Sequence, residues 1–312
     1  MSALLDVILP VFLVIGFGYA AARAGLFNDA AVDGVMRFAQ SFAVPCLLFR
    51  SIATLDLSAA YDAGLLISFY VGAFAGFAAG FFGARLIFRR PMTDSIAIGF
   101  ACLFSNSLLL GLPITERAYG VEALQGNYAI ISMHAPLLYG FGICLMEWAR
   151  TQGQGLSAAA IAVKALRAVF SQSLVIGIVA GWVVNLSGLP LPALVWSGVD
   201  MMVRAAIPTA LFGLGGVLLR YRPDGDRATI GMVCAVSLVL HPAITYGLAR
   251  WGFALDTAGL RSAVLTAAMA PGVNAYMFAH LYGVGKRVAA SSVLIATALS
   301  IPTIWLWLHI LP

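Results

Sequence analysis

The sequence predicts an all-α membrane protein: ten transmembrane helices in two inverted five-helix repeats, with helices 4 and 9 broken and crossing. Three observations lead there. Of the 312 residues, 62% are hydrophobic and only 10% are charged, against about 25% charged in a soluble domain. Ten apolar runs follow one another with short connections, each near the roughly 20 residues that cross a bilayer. Two of these runs are interrupted by polar residues, glycine and proline at corresponding places in two half-chains, which points to the binding site of a secondary transporter.

The runs are 4–23, 35–53, 63–87, 95–117 and 122–147, then 168–187, 195–218, 229–249, 259–282 and 289–311. A cleaved leader opens with a basic segment. The first Lys or Arg here is Arg23, so residues 4–22 read as a retained first span. Residues 149–165 form the least apolar stretch and are the expected cytoplasmic linker between a first repeat, 1–148, and a second, 166–312. Loops after odd-numbered spans hold twelve Lys and Arg, against four after even-numbered spans. Positive residues favour the cytoplasm, which places both termini outside.

The halves echo each other. Residues 43–49, AVPCLLF, match residues 206–212, AIPTALF, at an offset of 163, and Tyr119-Gly120 matches Tyr282-Gly283 at the same offset. Five spans per half is an odd number, so the second copy enters the membrane upside down. Gly72, Gly76 and Gly80 recur every fourth residue, as do Gly177 and Gly181. Such stripes let helices approach closely and are read as packing alone. Asp33 with Arg37 and Asp200 with Arg204 have the spacing of helix-surface ion pairs and are expected to anchor span starts.

The first interruption is Ser105-Asn106-Ser107 followed by Gly111-Leu112-Pro113; the second is Pro271-Gly272-Val273-Asn274. Proline removes a backbone donor and glycine loosens the helix, which frees peptide groups at a depth where lipid cannot satisfy them. In the repeat register Asn274 falls opposite Gly111, so both breaks share the depth at which inverted helices would cross. A broken helix offers amides of partial positive charge at one end, a setting for an anion and above all a carboxylate. Asn106 and Asn274 are expected to contact substrate, with Gly111, Pro113, Pro271 and Gly272 shaping the pocket. Ser105, Ser107 and Tyr276 stand in second rank. For either stretch alone, a kinked and glued helix is the simpler reading; their pairing favours a site.

His134 in the fifth span and His241 in the eighth are ionisable groups at membrane depth, where such groups are functional candidates. Each either carries a coupling proton or is a neutral, hydrogen-bonded imidazole holding helices together, and the second reading is the simpler. Cys46, Cys102, Cys144 and Cys234 stand alone in apolar runs, with no ligand or disulfide spacing. No metal or cofactor is expected. A membrane enzyme would need clustered acid or histidine ligands, and none is present. Nothing points to nucleic acid. A cation/proton antiporter needs carboxylates in mid-span, whereas the acids here fall at span ends. A sodium-coupled symporter stays open, because Asn, Ser, Thr and backbone carbonyls can hold sodium.

Three stretches resemble the auxin efflux carrier family: FAVPCLLF from Phe42, NSLLLGLPI from Asn106 with its trailing AYG, and APGVNAYMFAHLYG from Ala270. The resemblance covers nearly the whole chain. It implies a fold like that of the sodium/bile-acid symporters, with spans one, two, six and seven as a scaffold for a moving domain. It also implies a homodimer, an elevator-type movement and coupling to H+ or Na+. The long hydrophilic loop of the plant carriers is missing here, so a bacterial inner-membrane permease for small carboxylates such as malate or malonate is the nearer likeness. His280 stands where plant members tend to carry a lysine near the site entrance, which makes it a further candidate.

Overall fold

The computed structural model describes residues 3–150 and 158–312. Among these residues every regular element is helical: α1 (Leu4–Arg23), α2 (Asp29–Ala53), α3 (Ala63–Ile87), α4 (Met92–Leu103), α5 (Leu112–Tyr119), α6 (Val121–Arg150), α7 (Ala158–Phe170), α8 (Ser173–Ser187), α9 (Ala193–Arg220), α10 (Arg227–Gly252), α11 (Thr257–Ala267), α12 (Val273–Tyr282) and α13 (Lys286–Ile310). Seven of them, α1, α2, α3, α6, α9, α10 and α13, are long and apolar enough to cross a membrane. The protein is therefore an integral membrane protein. The expected fourth span is α4, a non-helical gap at 104–106, and then the wide turn Ser107–Gly111 running into α5; the expected ninth is α11 and α12 on either side of a non-helical gap at 268–272.

Two boundaries differ from the sequence expectation. The sixth span opens at Ser173, not 168, and part of the expected linker is helix α7, bent by 80° from α8; linker residues 151–157 lie outside the described residues. Residues 158–170 are amphipathic, with Lys164 and Arg167 beside exposed Val163, Leu166 and Phe170, a pattern suited to lying along a membrane surface. The second span begins at Asp29, where the Asn28 side chain accepts from the Ala31 N–H at 2.9 Å. That N-cap satisfies a donor the helix start leaves open, and it extends the helix through a polar turn that hydropathy alone does not credit.

Wide π-type turns precede three of the in-helix prolines. They span Ala39–Ala43 before Pro45, Ser107–Gly111 before Pro113, and Val236–Leu240 before Pro242. Proline has no N–H to give and its ring crowds the carbonyl one turn back, so the chain widens there instead of breaking.

The helices pack in two groups. α1 lies along α9, and the second half of α2 lies between α8 and α9. The other group joins α3, α4, α6, α10, α11, α12 and α13. The glycine stripes sit where backbones meet: a β-carbon at Gly177 would stand 2.5 Å from the Pro45 carbonyl oxygen, and one at Gly181 would stand 2.9 Å from that of Phe49. Gly177→Val is therefore expected to push α8 off α2, with an overpacking cost of about 1–3 kcal/mol. The measurement is the melting temperature of purified protein, and an unchanged value would refute the close approach.

The expected Asp–Arg pairs within one helix do not form. Arg220 instead holds Asp29 at 2.9 Å and Asp33 at 2.6 Å, and Arg50 holds Asp200 at 2.9 Å. Arg50 also lies 4.7 Å over the Trp196 ring. A guanidinium brought in from a neighbouring helix presents its planar fork to two acceptors, which a side chain one turn along the same helix cannot match.

Candidate functional site

Across the two gaps the chain runs extended, and the two segments bond to each other. The Asn106 N–H donates to the Ala270 carbonyl at 2.8 Å, and the Gly272 N–H donates to the Phe104 carbonyl at 2.9 Å. This is the antiparallel bridge between Ser105 and Pro271. Pro271 needs no donor there, because the residues on either side of it carry both bonds. The freed peptide groups of each break are thus partly satisfied by the other break, at a place where lipid could not satisfy them.

Two helix starts remain open beside this bridge. The Leu110 and Gly111 amides are the first of their turn to bond back, both to the Asn106 carbonyl. The amides of Ser107, Leu108 and Leu109 have no acceptor within the helix. At α12 the first to bond back is Ala275, to the Gly272 carbonyl at 2.9 Å, which leaves those of Val273 and Asn274. A cavity of about 340 Å³ lies against both starts, within the size range of small-molecule clefts.

One wall of the cavity comes from the breaks: Phe104, Ser105, Asn106, Ser107, Gly272 and Asn274, with His134 from α6. The other comes from the α1/α2/α8/α9 group, through Gln40, Ser41, Val44 and Leu48 of α2 and the Ser171-Gln172-Ser173 bend. The cavity therefore lies between the two groups of helices. Among the described residues no Asp, Glu, Lys or Arg lines it. Asn106 is only 6% exposed, and its Nδ2 has no partner among the described residues. The Ser105 and Ser107 hydroxyls bond to each other at 2.8 Å. His134 packs its ring on Phe104 at 4.5 Å and on Phe69 at 5.6 Å. It lies beside the Ser105 backbone, yet neither ring nitrogen meets hydrogen-bond geometry.

The other residues singled out from sequence lie off the cavity wall. Gly111 is buried behind it, facing Met269. Pro113 is buried at the start of α5, and Pro271 is held within the bridge. Tyr276 packs on Tyr221 with ring centres 4.7 Å apart. His280 is exposed, 5.7 Å from the Tyr276 ring. His241 is buried behind Phe69, 5.2 Å from that ring.

Sequence reasoning passed over Gln40-Ser41 and Ser171-Gln172-Ser173. The signal for the first was a polar pair inside the apolar run 35–53, and for the second a polar triplet inside the apolar run 168–187. It also missed Asn127. That fully buried side chain donates to Thr115 of α5 at 3.2 Å and Thr266 of α11 at 2.8 Å, so it ties together one half of each broken span. Glu147, placed near a span end by its position in the chain, is buried and pairs with Lys164 of α7 at 2.8 Å.

Comparison with known proteins adds a second line. The family described as "Membrane transport protein" matches residues 3–308. A Rhizobium meliloti protein named "Putative malonate transporter" is 26% identical over 97% of this chain and 94% of its own length. An "Uncharacterized transporter" of Methanothermobacter thermautotrophicus is 24% identical over 97% and 96%. The mouse "Lysosomal cholesterol signaling protein" is 25% identical over all of this chain but only 38% of its own length.

Proposed function

Because the chain belongs to the membrane transport protein family, to which the auxin-carrier resemblance pointed, we propose that it is a secondary transporter for a small organic anion, held between its two broken spans. The observation that carries this is the cavity against two open helix starts. Orphan amides and the helix dipole favour negative charge there, and the Asn106 Nδ2 adds a buried donor without a partner. Asn274 stands at the second start, and Ser105, Ser107 and Gly272 complete that wall.

Two helix starts suit a short dicarboxylate, one carboxylate to each. The relative named for malonate supports that choice of size and charge. In this reading each broken pair counts as one crossing, which gives ten spans in two inverted repeats. The α1/α2/α8/α9 group is the scaffold, and the remaining helices carry the cargo past it in an elevator-type movement. Further elements of the reading are a homodimer, a bacterial inner membrane with both termini outside, and coupling to H+ through His134 or to Na+. Gly111, Pro113 and Pro271 shape the breaks from behind the wall. Tyr276 and His280 belong to an entrance and not to the cavity.

The test is the melting temperature of purified protein with malonate and with monocarboxylates, with and without sodium, at two pH values. A ligand of the folded state stabilises it by about 2.7 kcal/mol at one hundred times its Kd. A rise with short dicarboxylates is expected. No rise with any carboxylate would overturn the assignment.

A further inference from the structure

A second cavity of about 610 Å³ lies between α10 and α13 and shares no lining residue with the cavity at the broken spans. Its floor and sides are apolar: Ile230, Cys234 and Leu238 of α10 face Ile295, Leu299 and Pro302 of α13. It stays open because Gly231 and Ala235 present little side chain; a β-carbon built at Gly231 meets no atom within 4 Å. At one end stands Arg227, and at the other Val239 and Thr303. Val239 lies twelve positions beyond Arg227 along α10, about 18 Å at 1.5 Å per residue. That is close to half of a hydrocarbon core about 30 Å thick, the depth of one leaflet.

The charged end is unbalanced. Arg227 is exposed, opens its helix and has no ion pair among the described residues. A cation at a helix start is disfavoured by the helix dipole, so an anion placed there would be held by both. The neighbouring Asp226 cannot serve. It caps the helix through the Ala228 N–H at 3.1 Å, accepts from the Thr229 hydroxyl at 2.5 Å and pairs with Arg90 at 3.0 Å. The Thr229 hydroxyl first, with Arg90 behind it, holds the Asp226 carboxyl below its ordinary range.

We infer that this groove is a binding site for an anionic phospholipid, with one acyl chain along α10 and α13 and the phosphate at Arg227. A leaflet-deep apolar slot with a free guanidinium at the interface fits that chemistry from end to end. A neutral lipid would fill the slot but leave Arg227 unanswered. The site is separate from the cargo cavity and does not depend on what is transported.

Native mass spectrometry of the full chain tests it, using phosphatidylglycerol and phosphatidylcholine with identical acyl chains. Retention of phosphatidylglycerol over phosphatidylcholine is expected, and Arg227→Gln should reduce that preference about fivefold, the usual effect of one basic side chain at an anionic membrane surface. Gly231→Leu fills the slot and should reduce retention of both lipids, while Arg227→Gln reads the headgroup without touching the apolar wall. Equal retention of the two lipids by the unmodified chain, or a preference unchanged in Arg227→Gln, would overturn the site. So would a lipid-free dimer that Gly231→Leu splits, since a second copy would then be the occupant.

Discussion

Asn106→Ala is expected to weaken dicarboxylate binding by roughly 10- to 150-fold, the loss of one hydrogen bond to a charged group at about 1.5–3 kcal/mol. The side chain is nearly buried and its Nδ2 has no partner among the described residues, which leaves that donor to cargo or water. The fold should survive the change. It is the Asn106 backbone that bonds to Ala270 and receives Leu110 and Gly111, and alanine keeps both groups. Asn274→Ala should weaken binding less, because Asn274 is half-buried and water can replace part of its contact. Asn106→Asp should abolish binding, since a carboxylate would then face the cargo across the same cavity. The ligand-induced rise in melting temperature reads all three variants against the unmodified protein. Full rises retained in both alanine variants would show that the anion sits elsewhere.

The breaks were legible in the sequence for a reason that generalises. Pro271 and Gly272 lie in the second gap and alter backbone geometry whatever surrounds them; Gly111 and Pro113 mark the first only from a distance, since that gap opens at 104–106 and both of them lie in the helix that follows it. Span limits were legible where apolar composition sets them, as in 63–87. They were not where a cap or an amphipathic turn extends the helix, as at Asn28 and along 158–170. The second cavity wall was hidden because Gln40, Ser41 and Ser171 to Ser173 are marked only as polar residues in apolar runs, with no glycine or proline beside them to signal a break. They become a wall only when α2 and α8 are packed against the breaks, and the 80° bend at Ser171-Gln172 is a property of the packed chain. Tyr276 and His280 show the converse. They follow the second break closely in sequence, but helix α12 turns them away, one toward Tyr221 and the other toward the exterior.

Asn127 should prove the most stability-sensitive polar residue near the site. Asn127→Ala removes two buried hydrogen bonds and strands the Thr115 hydroxyl. Unpaired buried groups cost about 1–3 kcal/mol each, so a loss of roughly 2–4 kcal/mol is expected. Thr266 keeps one outlet, donating to the Ser262 carbonyl at 2.6 Å, which places Thr115 as the larger contributor. The same reasoning gives a counter-test. If the penalty comes from unpaired groups, then Asn127→Leu combined with Thr115→Val and Thr266→Val should recover most of the melting temperature, because all three partners become apolar together. If the triple variant melts as low as Asn127→Ala, hydrogen-bond geometry between α5, α6 and α11 matters beyond the satisfaction of its atoms. Asn127 would then be fixing how the two broken spans meet, and ligand affinity should fall along with stability even though Asn127 lies off the cavity wall.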